Sequence, residues 1–362
     1  MTRRLGSLGS LVILVCAVAV ARPATRSADV PEPKLLTNDG GRVAWYQGDS
    51  HDLIAFDAVT DKKTHNTELF VISPDGSGRR CVSCNAGTPK GFVGQPSWHP
   101  DGEHLVIQVE SPNSEHKFYN HMSWGIDNDL WLITRDGKQA RKIWDTPKLS
   151  AALHPHFSPD GRILVWSERE PTGIKLRGAI VRQMAPGGEN QWTGWRIHIA
   201  NVDVQGGKLS NHRTITPNGE GFYETHAIRN GRLLYSFTKN GANYVDDAYE
   251  ASLEGGNPTN LTNSPDTWDE HGQYSSKGDF AFISSRIDKS LKFPGARPAN
   301  LRTELYVRQN GTVRQLTDMN QRKGKKIAVS DYDWDRDGRR IAFQVASLDG
   351  SSAAEIWIVT VR

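Results

Sequence analysis

Short apolar runs closed by tight-turn dipeptides recur along the chain in two interleaved units. The first reads Trp98-His99-Pro100-Asp101-Gly102 and then Leu105-Val106-Ile107, and it returns as Phe157-Ser158-Pro159-Asp160-Gly161 with Ile163-Leu164-Val165-Trp166. Weaker copies are Ala227-Ile228-Arg229-Asn230-Gly231 with Leu233-Leu234-Tyr235, Tyr274-Ser275-Ser276-Lys277-Gly278 with Phe280-Ala281-Phe282, and Trp334-Asp335-Arg336-Asp337-Gly338 with Ile341-Ala342-Phe343. Asp-Gly and Asn-Gly between apolar runs mark hairpins, because glycine takes the positive φ that a tight turn needs. The second unit reads Glu68-Leu69-Phe70-Val71-Ile72 then Asp75-Gly76, Asp129-Leu130-Trp131-Leu132-Ile133 then Asp136-Gly137, and Glu304-Leu305-Tyr306-Val307 then Asn310-Gly311. Trp195 to Val202 and Asp247 to Gly255 are its degenerate forms, and short outer strands such as Asn260-Leu261-Thr262 and Gln315-Leu316-Thr317 follow it.

Four strands per period, at periods of about 45 to 65 residues, describe a propeller blade with loop insertions. The last unit, Glu355-Ile356-Trp357-Ile358-Val359, has no outer strand after it, whereas Lys34-Leu35-Leu36-Thr37 shows the outer-strand pattern ahead of the first inner strand, Val43-Ala44-Trp45-Tyr46. The pattern therefore predicts an all-β, six-bladed β-propeller over residues 34–362, its last blade closed by the N-terminal strand. Such closure removes the exposed edges of an open array.

These motifs resemble the TolB-like propellers built of PD40 (WD40-like) repeats. The Trp/Phe-Ser/His-Pro-Asp-Gly signature is strong in the second and third blades and degenerate elsewhere. The resemblance implies a fold without fixing a reaction, since relatives include protein-binding periplasmic modules, domains attached to peptidases and, more distantly, polysaccharide lyases.

Ahead of the repeats, Arg3-Arg4, the apolar stretch Leu8 to Val20 and the small residues Ala19 and Ala21 have the layout of a secretory signal peptide. Cleavage after Ala21 is expected, leaving a linker over 22–33 and a periplasmic or secreted chain. The apolar run is short for a spanning helix, which needs about 20 residues, and no later segment is long and apolar enough. Arg3-Arg4 leaves twin-arginine export open beside the general route, and Cys16 leaves a lipoprotein open. Processing removes two arginines and no acid, taking the formal charge from +3 to +1. So balanced a chain makes no electrostatic case for nucleic acid. Cys81 and Cys84 survive processing, and in an exported protein a lone pair at this spacing is most simply a local disulfide.

Blade topology places the tight Asp-Gly turns on one face and the connections from second to third strand on the other. There the sequence expands, at 111–128, 167–194 and 285–303. Long ordered loops on a rigid scaffold commonly carry binding. Counting back from each turn glycine, the seventh and fifth positions are Gln95 and Ser97, His154 and His156, Glu224 and His226, His271 and Gln273, and Asp331 and Asp333; in the first blade they are Val43 and Trp45. Residues two apart on a strand share a side, so five blades are expected to bring polar side chains to one channel mouth. Trp98, Phe157, Tyr274 and Trp334 occupy alternate, packing positions.

A wet channel tolerates such residues singly. The aligned recurrence of His154, His156, Glu224, His226 and His271 suits a divalent ion such as Zn²⁺ or Mn²⁺. His154-Pro155 and Thr225-His226 also resemble metal-ligating segments of oligogalacturonate lyases, propeller enzymes whose manganese-type ion helps remove a proton next to a uronate. In 285–303, Arg286, Lys289, Lys292, Arg297 and Arg302 stand against Asp288 alone, which suits either a basic rim for an anionic sugar polymer or a solvated loop. The expected function is a binding module for a protein, peptide or glycan on the insertion-bearing face; the rival is a metal-assisted polysaccharide lyase or hydrolase. A monomer is expected.

Overall fold

The computed structural model describes residues 30–170, 193–239, 245–289, 301–324, 326–349 and 352–362; the expected signal segment lies outside them. The described strands form six four-stranded antiparallel sheets whose inner strands neighbour one another in a ring, a six-bladed β-propeller. From blade 1 to blade 6 the inner strands are Val43–Trp45, Val93–Trp98, Ala151–Phe157, Gly221–Arg229, Asp269–Tyr274 and Ile327–Trp334. Blade 6 takes its outer strand from the other end of the chain, with Lys34 opposite Ile358, Leu35 opposite Trp357 and Thr37 opposite Ile356. In blade 5 the outer strand is Thr312–Gln315, directly after the Asn310-Gly311 turn, rather than at Gln315 to Thr317. Leu316 is fully buried instead, so its apolar character reflects packing between blades 5 and 6.

Each pair of neighbouring blades encloses its own apolar layer. Val71 and Tyr46 meet Trp98 and Leu105 between blades 1 and 2, and Trp45 and Phe56 meet Ala342 and Ile356 where blade 1 closes onto blade 6. A fully buried Leu, Ile, Val or Phe contributes about 1.5–3 kcal/mol, so ring stability is distributed over these layers. The tight-turn face is stitched as well. His51 donates to the Gly102 carbonyl of the next blade at 2.9 Å, and His99 donates to the Gly161 carbonyl at 3.2 Å. Cys81 and Cys84 are joined by a disulfide at the outer edge of blade 1.

Between blades 2 and 3 the layer includes a buried polar knot. Trp144 and Trp166 both donate indole N–H groups to Glu168 Oε2, at 2.7 and 3.0 Å, and His198 Nδ1 lies 3.6 Å from the same oxygen. Burial outweighs the two indole bonds and pushes the Glu168 carboxyl up to about 7, while burial drives His198 down to about 3. Both groups thus move toward their neutral forms. A carboxyl with a raised folded pKa contributes stability that is complete below its unfolded value and lost as pH rises through the folded one. Tryptophan fluorescence is therefore expected to titrate near pH 7, with stability declining between about 4.5 and 7. Glu168→Gln removes the fluorescence titration. An identical titration in that variant would assign it to another group.

Candidate functional site

Three inner strands carry the same irregularity at the same place. The ladder slips between Gly94 and Ser97 in blade 2, Leu153 and His156 in blade 3, and Glu270 and Gln273 in blade 5, leaving one residue extra in each. Gln95, His154 and His271 sit in these bulges with φ of 52°, 51° and 55°. The left-handed region costs an L-residue about 1–2 kcal/mol, and such strain clusters at functional sites. Blades 4 and 6 slip as well, beside His226 and Asp331.

A side chain from the preceding blade's second strand holds each of these segments. Asp57 accepts the Gln95 N–H at 3.1 Å, Gln108 the His154 N–H at 3.3 Å, Ser167 the Thr225 N–H at 3.1 Å and Ser236 the His271 N–H at 3.0 Å. All four props are buried. Their sequence signal is the polar residue that directly follows the apolar run of the second strand in four blades: Phe56-Asp57, Ile107-Gln108, Trp166-Ser167 and Tyr235-Ser236. Gly41 and Gly94 press against Asp57 so closely that a Cβ on either would lie 1.9 or 2.5 Å from its side chain.

The bulges bring His154, His226 and His271 together. These three buried imidazoles, from consecutive blades, each offer a nitrogen within 4.8 Å of the others'. His154 Nε2 lies 3.1 Å from Glu224 Oε1, its Nδ1 lies 2.8 Å from Gln95 Nε2, and that amide lies 3.3 Å from Asp331 Oδ1. His226 Nε2 pairs with Ser236 Oγ at 2.7 Å. Neither His271 nitrogen has a hydrogen-bond partner; they lie 3.7 Å from Glu270 and 3.7 Å from Asp331.

Electrostatics divide the cluster. Burial and the neighbouring imidazoles hold His226 well below the usual histidine range. Burial also opposes charge on His271, but Glu270, Asp331 and Glu224 outweigh it and push that group up to about 9. Glu224 is held low because His154 and His271 outweigh burial, and Asp331 because His271, Arg42 and His154 do. The carboxylates that retain a proton on His271 equally favour a metal cation in its place.

The remaining positions have other duties. His156 lies outside the imidazole triad, and burial takes it down to about 3. Gln273 donates to the Tyr332 carbonyl at 3.3 Å. Asp333 accepts the Trp45 and Trp334 N–H groups at 2.8 and 2.9 Å, and burial pushes it up to about 7. The bulge explains the division, because one inserted residue breaks the period of two and sends the seventh and fifth positions to different depths.

The cluster therefore lies inside the channel rather than at the insertion-bearing mouth. A cavity of about 540 Å³ on the tight-turn side is bounded by Gln95, His156, Gln273 and Asp333 together with turn residues such as Pro159 and Ser276. A second, of about 470 Å³, opens on the insertion side past Thr67, His121 and Ala354. His154, His271, Asp331 and Arg42 border both. Four contributors escape the turn-counting rule: Arg42, Asp57, Glu270 and His121. Arg42 is buried, bonds Ser123 in the 111–128 insertion and stands 3.7 Å from Asp57. At the described ends of the basic segment Arg286 pairs with Asp269 at 2.6 Å and Arg302 with Asp288 at 2.7 Å, while Lys289 is exposed. Lys292 and Arg297 lie outside the described residues, as does 171–192 of the 167–194 insertion.

No family model matches the chain. It is 23% identical over 261 residues to dipeptidyl-peptidase 5 of Porphyromonas endodontalis, a match covering 63% of this chain and 34% of the relative. The chain thus spans about a third of the length of that curated relative. TolB from Acinetobacter baumannii is similar at a TM-score of 0.49 and 14% identity, over 82% of this chain and 60% of that one. Oligogalacturonate lyase from Vibrio parahaemolyticus is similar at a TM-score of 0.48 and 11% identity, over 93% and 95%.

Proposed function

We propose that this chain is an exported binding propeller that carries a divalent ion of the Zn²⁺ or Mn²⁺ type at His154, His226 and His271 and uses it to hold an anionic ligand in the channel. One observation carries the reading: three buried imidazoles converge from consecutive blades, two of them on strained left-handed backbone. Their 4.8 Å envelope needs only modest side-chain rotation to reach the roughly 3.5 Å ligand spacing of an ion bound at about 2.1 Å. Gln95 supports His154 from behind, where its amide oxygen, which has no partner, fixes the ring once the amide turns over. Arg42, held in place by Asp57 and Ser123, borders both cavities and adds positive potential beside the ion for a carboxylate, sulfate or phosphate on the ligand. The pattern of residues 1–21 supports export.

A metal-assisted lyase or hydrolase acting on an anionic glycan is the second reading, favoured by the open cavity that ends on the imidazoles. Metal-free protein equilibrated with Zn²⁺ and desalted is expected to retain about one ion per chain by elemental analysis, the stoichiometry of one three-histidine site. Retention of a negligible fraction would remove the metal. Turnover of polygalacturonate by the loaded protein, tested alongside array binding, separates enzyme from binder.

A further inference from the structure

Beside the imidazoles, toward blades 4 and 5, lies a set of carboxylates, Glu224, Glu270 and Asp246, of which Glu224 meets His154 through Oε1 alone. Glu224, Glu270 and His271 each offer an atom within 4.8 Å of the others'. Glu224 Oε2 and both His271 nitrogens are buried without a hydrogen-bond partner. Behind them Asp246 is fully buried, and neither of its oxygens has a partner. Glu270 and Glu224 are its strongest charged neighbours, and with burial they raise its carboxyl well above the usual range.

Asp246 is exceptional in this molecule. Among the described residues every other buried carboxylate has a donor: Asp57 has backbone N–H groups and Arg42, Asp127 the Leu149 N–H, Asp129 the Thr146 N–H, and Asp269 has Arg286. Glu110, Glu168, Glu304, Asp318 and Asp335 are likewise bonded. Burying an unpaired carboxylate is expensive enough that folds pair such groups, protonate them or place them on a metal. Here three acids share one location, and the nearby guanidinium, Arg42, is engaged by Asp57 and Ser123.

We propose that Glu224, Glu270 and His271, backed by Asp246, form a second cation position for a hard divalent ion such as Mn²⁺ or Ca²⁺. Carboxylate oxygens with a single imidazole suit Mn²⁺, and the oxygen-rich balance admits Ca²⁺. It rests on the reading above in that His271 serves both ions as a bridging imidazolate, its ring protons released to solvent as the two cations bind. Glu224 and Glu270 border the insertion-side cavity, which gives the second ion its own approach from that mouth.

The two sites are separable by ion type. Metal-free protein is first loaded with one equivalent of Zn²⁺, which prefers the imidazoles, and then titrated with Mn²⁺ while free Mn²⁺ is followed by electron paramagnetic resonance. The Zn²⁺-loaded chain is expected to take up one Mn²⁺, and Ca²⁺ is expected to compete for it. Glu270→Gln and Asp246→Asn each weaken Mn²⁺ binding by at least about tenfold, with Zn²⁺ content unchanged. Absence of Mn²⁺ uptake by the Zn²⁺-loaded wild type overturns the second site without needing any variant, and so does uptake that both substitutions leave unaltered. Failure to take up Zn²⁺ in the first step is the separate sign that the imidazole site itself is wrong.

Discussion

A chain that begins at Asp39 is expected to melt about 7 °C below the chain that retains residues 30–38, and to aggregate where the longer one stays monomeric. Blade 6 has three strands of its own, and its edge strand Glu355–Thr360 is covered only by the pairings of Lys34, Leu35 and Thr37. Removing that cover loses a few ladder hydrogen bonds at about 1 kcal/mol each and the partial burial of Leu36 against the layer between blades 6 and 1, about 1–2 kcal/mol more. The total, about 5 kcal/mol, spread over the large unfolding entropy of a chain this long, gives a shift of about 7 °C. The newly bared edge is a template for pairing with another copy. Thermal melts with light scattering on both chains check this, and coincident melts without aggregation would mean that the ring does not depend on its closing strand.

The ring was legible in the sequence because its evidence is repeated: every Asp-Gly or Asn-Gly turn sits a fixed distance from an apolar run, and degenerate copies inherit meaning from strong ones. His154, Glu224, His226 and His271 were legible for the same reason, since each lies at a set distance from a turn glycine. Depth along the channel was not legible. Counting assumes a uniform pleat, and the bulges at Gln95, His154 and His271 insert a residue where the count is made, so His156 and Asp333 part company with the histidines they were grouped with. Arg42, Glu270 and Asp246 escaped for another reason. Arg42 and Glu270 reach the channel from a loop and from the neighbour of a bulge, Asp246 lies behind it just ahead of a third strand, and no periodic rule addresses such places. Gln108, Ser167 and Ser236 could have been found, because a polar residue recurring directly after the apolar run of buried second strands has no packing explanation and calls for a hydrogen-bond partner.

Replacing the imidazoles is expected to abolish Zn²⁺ retention while leaving the propeller folded. The variant is best made as His154→Asn, His226→Ala and His271→Asn, because His154 and His271 occupy left-handed backbone that asparagine tolerates better than alanine does. Removing supports outside the ligand sphere already costs metal sites about 10- to 100-fold in affinity, so losing all three ligands should exceed a hundredfold and leave no ion after desalting. Stability should change by no more than about 3 kcal/mol, since the blade layers are untouched and the strained backbone keeps residues suited to it. His226→Ala alone is expected to weaken Zn²⁺ binding at least about tenfold, and it answers the question should the triple variant fold poorly. His156→Ala supplies the contrast: His156 lies outside the triad, so its loss should leave Zn²⁺ content intact, although spacing alone groups it with the others. Wild-type Zn²⁺ content in a folded triple variant would mean that the three imidazoles are channel lining, and loss of the ion from His156→Ala with retention in His226→Ala would move the site toward the tight-turn mouth.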